Sequence, residues 1–470
     1  MNSRSILAVA AIVAAATFLS GCQMLDTVTQ GWFTPSGRPS KLKGERISVM
    51  AMDSSMKPDP ALASTDVLLP APYRNDDWAN PGGYPSNALY HLEAKGPLHQ
   101  IWSQQVGKGS DTDSRLTSPP IIAGGTIYVL DAASHVYALN AQSGKPLWDK
   151  DLTPKGGDGS ILNDVTFGML GKDSSVDPTK GAGGGLAVDG GKLFATTGFG
   201  DVIAMNPSNG ARLWTINVGV PIINAPVASG GRIFVSSQDN HFYALAQTDG
   251  RRLWDHQGIG ENAGILESTS AAVAGEFVIV PYTSGELFAL RVQNGRPAWS
   301  DMLTSTSGVT ALAELDDIAG RPVVDRDMVV AISHSGLMTS IGLNSGDRNW
   351  ARDIGGIQTP WVAGDYIYVI SSDEQLICLT RKEGKIKWIH QMERWSNAAD
   401  KEDPILWSGP VLVSDRLILV SSQGFAVSVS PYTGQMLGRI EIPSGAYLAP
   451  IVANDTLYIW TNDAQLVALR

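Results

Sequence analysis

The run APVASGGRIFVSSQDNHFYALAQTDGRRLWDH, Ala225 to His256, is rewritten along most of the chain. In order it holds a Pro, a Gly turn, an apolar triplet (Ile233-Phe234-Val235), a polar turn, an apolar quartet (Phe242-Tyr243-Ala244-Leu245), a second Gly turn and Trp254. The quartet returns as VYAL from Val136, VIAM from Val202, LFAL from Leu287, LICL from Leu376 and LVAL from Leu466. The Trp returns as Trp148, Trp214, Trp299, Trp350 and Trp388, with Gly438 filling that slot in the seventh copy. Self-similarity at about 40 to 65 residues marks a repeat architecture. Four short β-rich runs per copy, separated by Gly, Asn, Asp or Ser, are the content of one propeller blade.

Let A to D denote the strands of a copy, from the Pro-led run to the Trp-led run. The eighth copy reaches only strand C, at Leu466-Val467-Ala468-Leu469. A lone D strand stands far upstream, from Leu98 to Val106 around Trp102. Seven complete copies and one split copy predict an all-β, eight-bladed propeller of four-stranded blades, closed by the N-terminal strand joining the C-terminal blade. Such closure removes the free edges that an open sheet would offer to aggregation. One indole per blade is expected between neighbouring sheets, its N–H satisfied by a backbone carbonyl.

The chain has 470 residues, 50 of them Gly, and a net charge of −11. That balance disfavours nucleic acid and anionic lipid surfaces, which reward clustered Lys and Arg. Residues 1–21 read as a signal peptide, with Arg4 ahead of an apolar run from Ile6 to Phe18 that is too short to span a bilayer. Residues 22–96 read as a Pro-rich tether without apolar periodicity, whose aromatic part (Tyr73 to Trp78 and Tyr84) is expected against the ring. The propeller is expected over 97–470. Apart from Cys22 the one cysteine is Cys378, inside an apolar quartet, so it reads as a buried thiol and no cysteine metal site exists.

The A–B and C–D turns share one face of the ring and are uniformly short. The other face carries B–C turns and blade-to-blade connections, including long excursions over 152–185, 300–321 and 391–408. Long loops on a rigid scaffold tend to carry function, so this second face is the expected working surface. Gly168 to Asp173 misses the spacing of a phosphate loop, and the Asp173 to Thr179 ladder lacks the closing Glu of a calcium loop. Neither a His-Glu-x-x-His nor a Gly-x-Ser-x-Gly motif is present. No cofactor, metal or catalytic residue is assigned.

Ala138-Leu139-Asn140, Gly144 and Trp148 match the ending of the PQQ-type propeller repeat, and Leu19-Ser20-Gly21-Cys22 resembles the lipobox of bacterial lipoproteins. Together they resemble the BamB family, propeller lipoproteins of the outer-membrane β-barrel assembly (BAM) complex. The resemblance implies cleavage before Cys22, its lipidation, and, with Gln23 following, delivery to the outer membrane facing the periplasm. It also implies a non-catalytic scaffold that docks on a POTRA domain of BamA and assists unfolded outer-membrane proteins. The docking loops would correspond to residues 261–268 and 313–322, with Glu267, Leu315 and Asp317 as partner-binding residues. The chain departs from that pattern at Gly264, Ile265 and Ala319. Two alternatives share the ring: a periplasmic binding or sensor lipoprotein, and an enzyme resembling PQQ-dependent alcohol dehydrogenases. The vicinal Cys pair typical of the latter is missing here.

Overall fold

The computed structural model describes residues 56–94, 96–112, 114–154, 183–260, 269–304 and 317–470. The leader 1–21, Cys22, the stretch with Gly168 to Thr179, Glu267 and Leu315 lie outside these residues.

Eight four-stranded antiparallel sheets account for nearly all the secondary structure, as the repeat count predicts. Blades 1 to 7 begin with strands Ile121–Ala123, Gly184–Asp189, Val227–Ser229, Ala272–Ala274, Val323–Asp325, Trp361–Ala363 and Trp407–Val413. Blade 8 takes Ile451–Ala453, Thr456–Trp460 and Gln465–Leu469 from one end of the ring and Gln100–Gln105 from the other. Trp102 lies opposite Ala468, and Gln104 opposite Leu466. The period-2 alternation of each inner strand turns apolar side chains into both neighbouring sheets, so strands A to C are buried and D faces solvent.

The indoles do what their spacing implies. Each lies opposite a small residue of strand C, as Trp148 opposite Ala138 and Trp388 opposite Cys378. Each Nε1–H donates to the next blade: Trp102 to the Ala141 carbonyl (3.2 Å), Trp254 to Val292 (2.9 Å), Trp388 to Pro431 (3.1 Å). The indole faces rest on the C–D glycines of that blade. Gly144 has φ of 69°, and a Cβ there would come within 2.7 Å of the Trp102 ring. Only Gly satisfies both the turn and the close approach. Cys378 is fully buried, and desolvation pushes its thiol well above the ordinary range.

The boundary of the folded unit differs from the sequence expectation. The compact unit begins at Lys57, not at residue 97. Residues 57–94 run around the centre of the ring and hydrogen-bond the first strand of every blade. Trp78 exchanges both backbone bonds with Ile122 (2.7 and 2.8 Å), and Val188 N–H donates to Ala79. Ala228 N–H donates to the Asn80 side chain; Val273 and Val324 donate to Pro85 and Ser86. The Trp361 indole donates to Tyr90, Leu92 pairs with Leu412, and Asn75 bridges Val452 and Asn454. The physical reason is the inner edge of each blade. Its N–H and C=O groups have no neighbouring strand, and buried backbone groups must find partners. The segment supplies them in an irregular conformation that its prolines permit.

Candidate functional site

The segment 57–94 binds at the A–B end of the inner strands: Gly124 N–H donates to Asp77 and Asp415 N–H to His91 Nε2. The central channel is therefore floored on that face and, among the described residues, open on the other. What remains is a funnel of about 520 Å³ whose floor includes Trp78, Asn87 and Leu89. Its wall is built from blade-to-blade connections and B–C turns, on the face singled out from loop length. Trp361 and Trp407 give it aromatic sides, and Leu406 and Tyr447 are exposed near the opening. A cavity of this size with few convergent polar groups has the proportions of a binding site.

Arg115, Arg321, His334, Glu374 and Tyr447 are the titratable residues in its lining, and two of them are shifted by burial. Burial pushes the Glu374 carboxyl up to about 7, against the Trp407 N–H and Arg394, which favour its charge. Burial lowers the His334 imidazole, whose Nδ1 is buried with no hydrogen-bond partner among the described residues. Arg115 and Arg321 put two guanidinium groups in the same lining. Among the described residues no three His, Cys, Asp or Glu side chains are grouped to hold a metal ion.

The described bases of the two long loops lie together on the same face. Thr269, which follows the first loop, donates its hydroxyl to the carbonyl of Ile318 (3.1 Å) and also contacts that of Ala319, both at the end of the second. Asn87 ties the same region to the floor, donating to the Pro322 carbonyl at 2.8 Å. Asp317 is only 5% exposed, and its carbonyl accepts from His334 N–H at 2.9 Å. Carboxylates are seldom buried without partners, and Asp317 has an interaction within the chain.

The floor residues were missed because the tether has no period to read. The walls left one signal: strand A of blade 6 opens with Trp361 where the other copies have aliphatic residues, and Trp407 opens blade 7. Large aromatics at innermost positions point to a lined channel.

The comparisons agree with this architecture. A family model described as outer membrane protein assembly factor BamB matches residues 86–173 and 158–390. The outer membrane protein assembly factor BamB of Moranella endobia is 25% identical over 384 residues, covering 81% of this chain and 92% of the relative. The crystal structure of BamB from Moraxella catarrhalis superposes with a TM-score of 0.63 at 17% identity, covering 80% of this chain and all of that one. The quinohemoprotein alcohol dehydrogenase of Comamonas testosteroni superposes with a TM-score of 0.61 at 12% identity, over 84% and 81% of the two chains, which shows a shared ring and nothing about chemistry.

Proposed function

Because this chain belongs to the BamB family of outer membrane protein assembly factors, we propose that it works as a non-catalytic scaffold in assembling outer-membrane β-barrel proteins. The observation that carries this reading is the family match across most of the ring, on a face where two long loops spring from one hydrogen-bonded base. The protein is held at the outer membrane through lipid on Cys22, facing the periplasm, a reading supported by the lipobox-like Leu19-Ser20-Gly21-Cys22. More than one acyl chain makes such anchoring stable.

Its partner is the periplasmic POTRA region of a BamA-like barrel protein, met by the loops 261–268 and 313–322. Glu267 and Leu315 supply the contact, and Asp317 acts from beneath by holding the second loop in shape. A rigid ring presenting adjacent loops loses little conformational freedom on docking, which favours binding through a few side chains.

The test is capture of the partner from detergent-solubilised membranes by the lipidated chain. Glu267→Lys combined with Leu315→Asp should abolish co-purification while urea unfolding stays as in the parent. Undiminished capture by that double variant would remove these loops from the interface.

A further inference from the structure

Seven of the eight junctions between blades are filled by an indole, and one is not. A filled junction uses a row across strands B, C and D, such as Tyr368, Cys378 and Trp388 in blade 6. In blade 7 the row is Ile418, Ser428 and Gly438. The receiving surface is missing as well. Elsewhere the indole lies on a C–D glycine of the next blade, such as Gly434 under Trp388. Strands C and D of blade 8 come from opposite ends of the ring and are joined by no such turn.

A cleft of about 290 Å³ results, lined by Ile418, Ser428, Gly438 and Leu457 and by Leu98 and His99 just ahead of the closing strand. A Cβ placed on Gly438 would meet nothing within 4 Å, so there is room for a side chain. Arg416 lines the same cleft. Its Nη2 donates to Ala94, while its buried Nε has no acceptor among the described residues.

The strand beside the cleft is exceptional in a second way. Gln100–Gln105, QIWSQQ, is the outermost strand of its sheet and contains neither a charge nor a proline. The other seven outer strands each carry at least one, as in PLWDKD, RNWAR and MLGRIE. Charges and prolines are how sheets discourage pairing at an edge, and this edge has neither.

We propose that the cleft between blades 7 and 8 is a binding site for an aromatic side chain of an extended polypeptide segment, with the uncharged edge of Gln100–Gln105 available to pair with the segment's backbone. The seven filled junctions define what fits: a flat aromatic ring against a small C-strand residue. The edge supplies the main-chain hydrogen bonds of strand addition, and the cleft the side-chain selectivity. The inference deepens the assembly reading, since an unfolded barrel protein is a source of such segments.

The probe is the peptide acetyl-Thr-Val-(5-fluoro-Trp)-Val-Thr-amide, titrated with the full chain and followed by fluorine NMR. Saturable binding is expected, weakened roughly 10-fold or more by Gly438→Trp, which fills the cleft, and the unlabelled peptide with alanine in place of tryptophan should displace the fluorinated probe roughly 10-fold or more less well than the unlabelled tryptophan peptide. Gly438→Trp should unfold at no lower urea concentration than the parent. If it does unfold earlier, Ser428→Leu narrows the same cleft from strand C and must give the same loss. Equal binding to parent and cleft-filled variants, or no saturable binding to the parent, overturns the proposal. Neither result touches the rim-loop reading, because capture of the barrel partner depends on residues 261–268 and 313–322.

Discussion

Replacing Trp102 by Ala tests the join on which the circle depends. Its indole is half-buried, donates one hydrogen bond to the Ala141 carbonyl at 3.2 Å, and has the Tyr458 ring at 5.9 Å. A net hydrogen bond contributes about 1 kcal/mol, an aromatic pair about 0.5–1.5 kcal/mol, and burial of half an indole about 1.5 kcal/mol. The expected destabilisation is therefore about 3–4 kcal/mol. Trp214→Ala, in a covalently continuous blade, is the matched comparison: its Nε1–H donates to Gln247 at 3.2 Å, and its ring lies 6.1 Å from Phe194. The two should cost about the same in urea unfolding. Only Trp102→Ala should also raise hydrogen exchange across Gln465–Leu469, because only there can the outer strand leave without breaking a hairpin. If Trp102→Ala unfolds like the parent and leaves that exchange unchanged, strand pairing at the join is not what holds the ring.

Two further outcomes follow from the centre of the molecule. Glu374 has a folded-state carboxyl raised to about 7 by burial, so the folded chain holds a proton that the unfolded chain has released. Stability contributed by this group should fall as pH rises from about 4.5 to about 7, and Glu374→Gln should remove that decline, leaving the variant about 1–3 kcal/mol better off at pH 8 than at pH 4 relative to the parent in paired urea titrations. Asn75 is buried, donates to the Val452 carbonyl at 2.9 Å and accepts from the Tyr84 hydroxyl at 2.8 Å. Asn75→Ala leaves both groups without their partner and should cost about 2–3 kcal/mol, with protease cleavage within 57–94 appearing before the sheets are cut.

The ring was legible because its information is local and repeated. Trp102, standing alone before the first full copy, was enough to locate the split blade, whereas the seating of each indole on a glycine of the next blade emerged only from the structure. The 57–94 segment was not legible for the opposite reason. Pro70, Pro72, Pro81 and Pro85 carry no period, and the segment takes its shape from the unpaired inner edges of eight sheets, which no local window contains. Its aromatic content did point to contact with the ring, and Trp78 makes that contact with Ile122. The choice of working face came from loop length alone. The funnel opens on that face because the inner segment floors the channel at the opposite end. Asp317 shows the limit of matching by position: a loop alignment assigns a residue to a connection without saying which way its side chain turns, and this one is buried.

The pairing of Gln105 with Gln465 spans most of the chain; the nearby bond from the Gln105 side chain to Asp463 joins residues 358 apart. At about 5–20 residues per second of synthesis, an early outer strand waits on the order of 20 s to a minute before its mate exists. Through that interval QIWSQQ is unpaired, and it carries no charge to keep other strands away. A nascent chain of this design needs either export before folding or a chaperone over its first hundred residues, and interrupted synthesis should leave aggregates nucleated at its beginning.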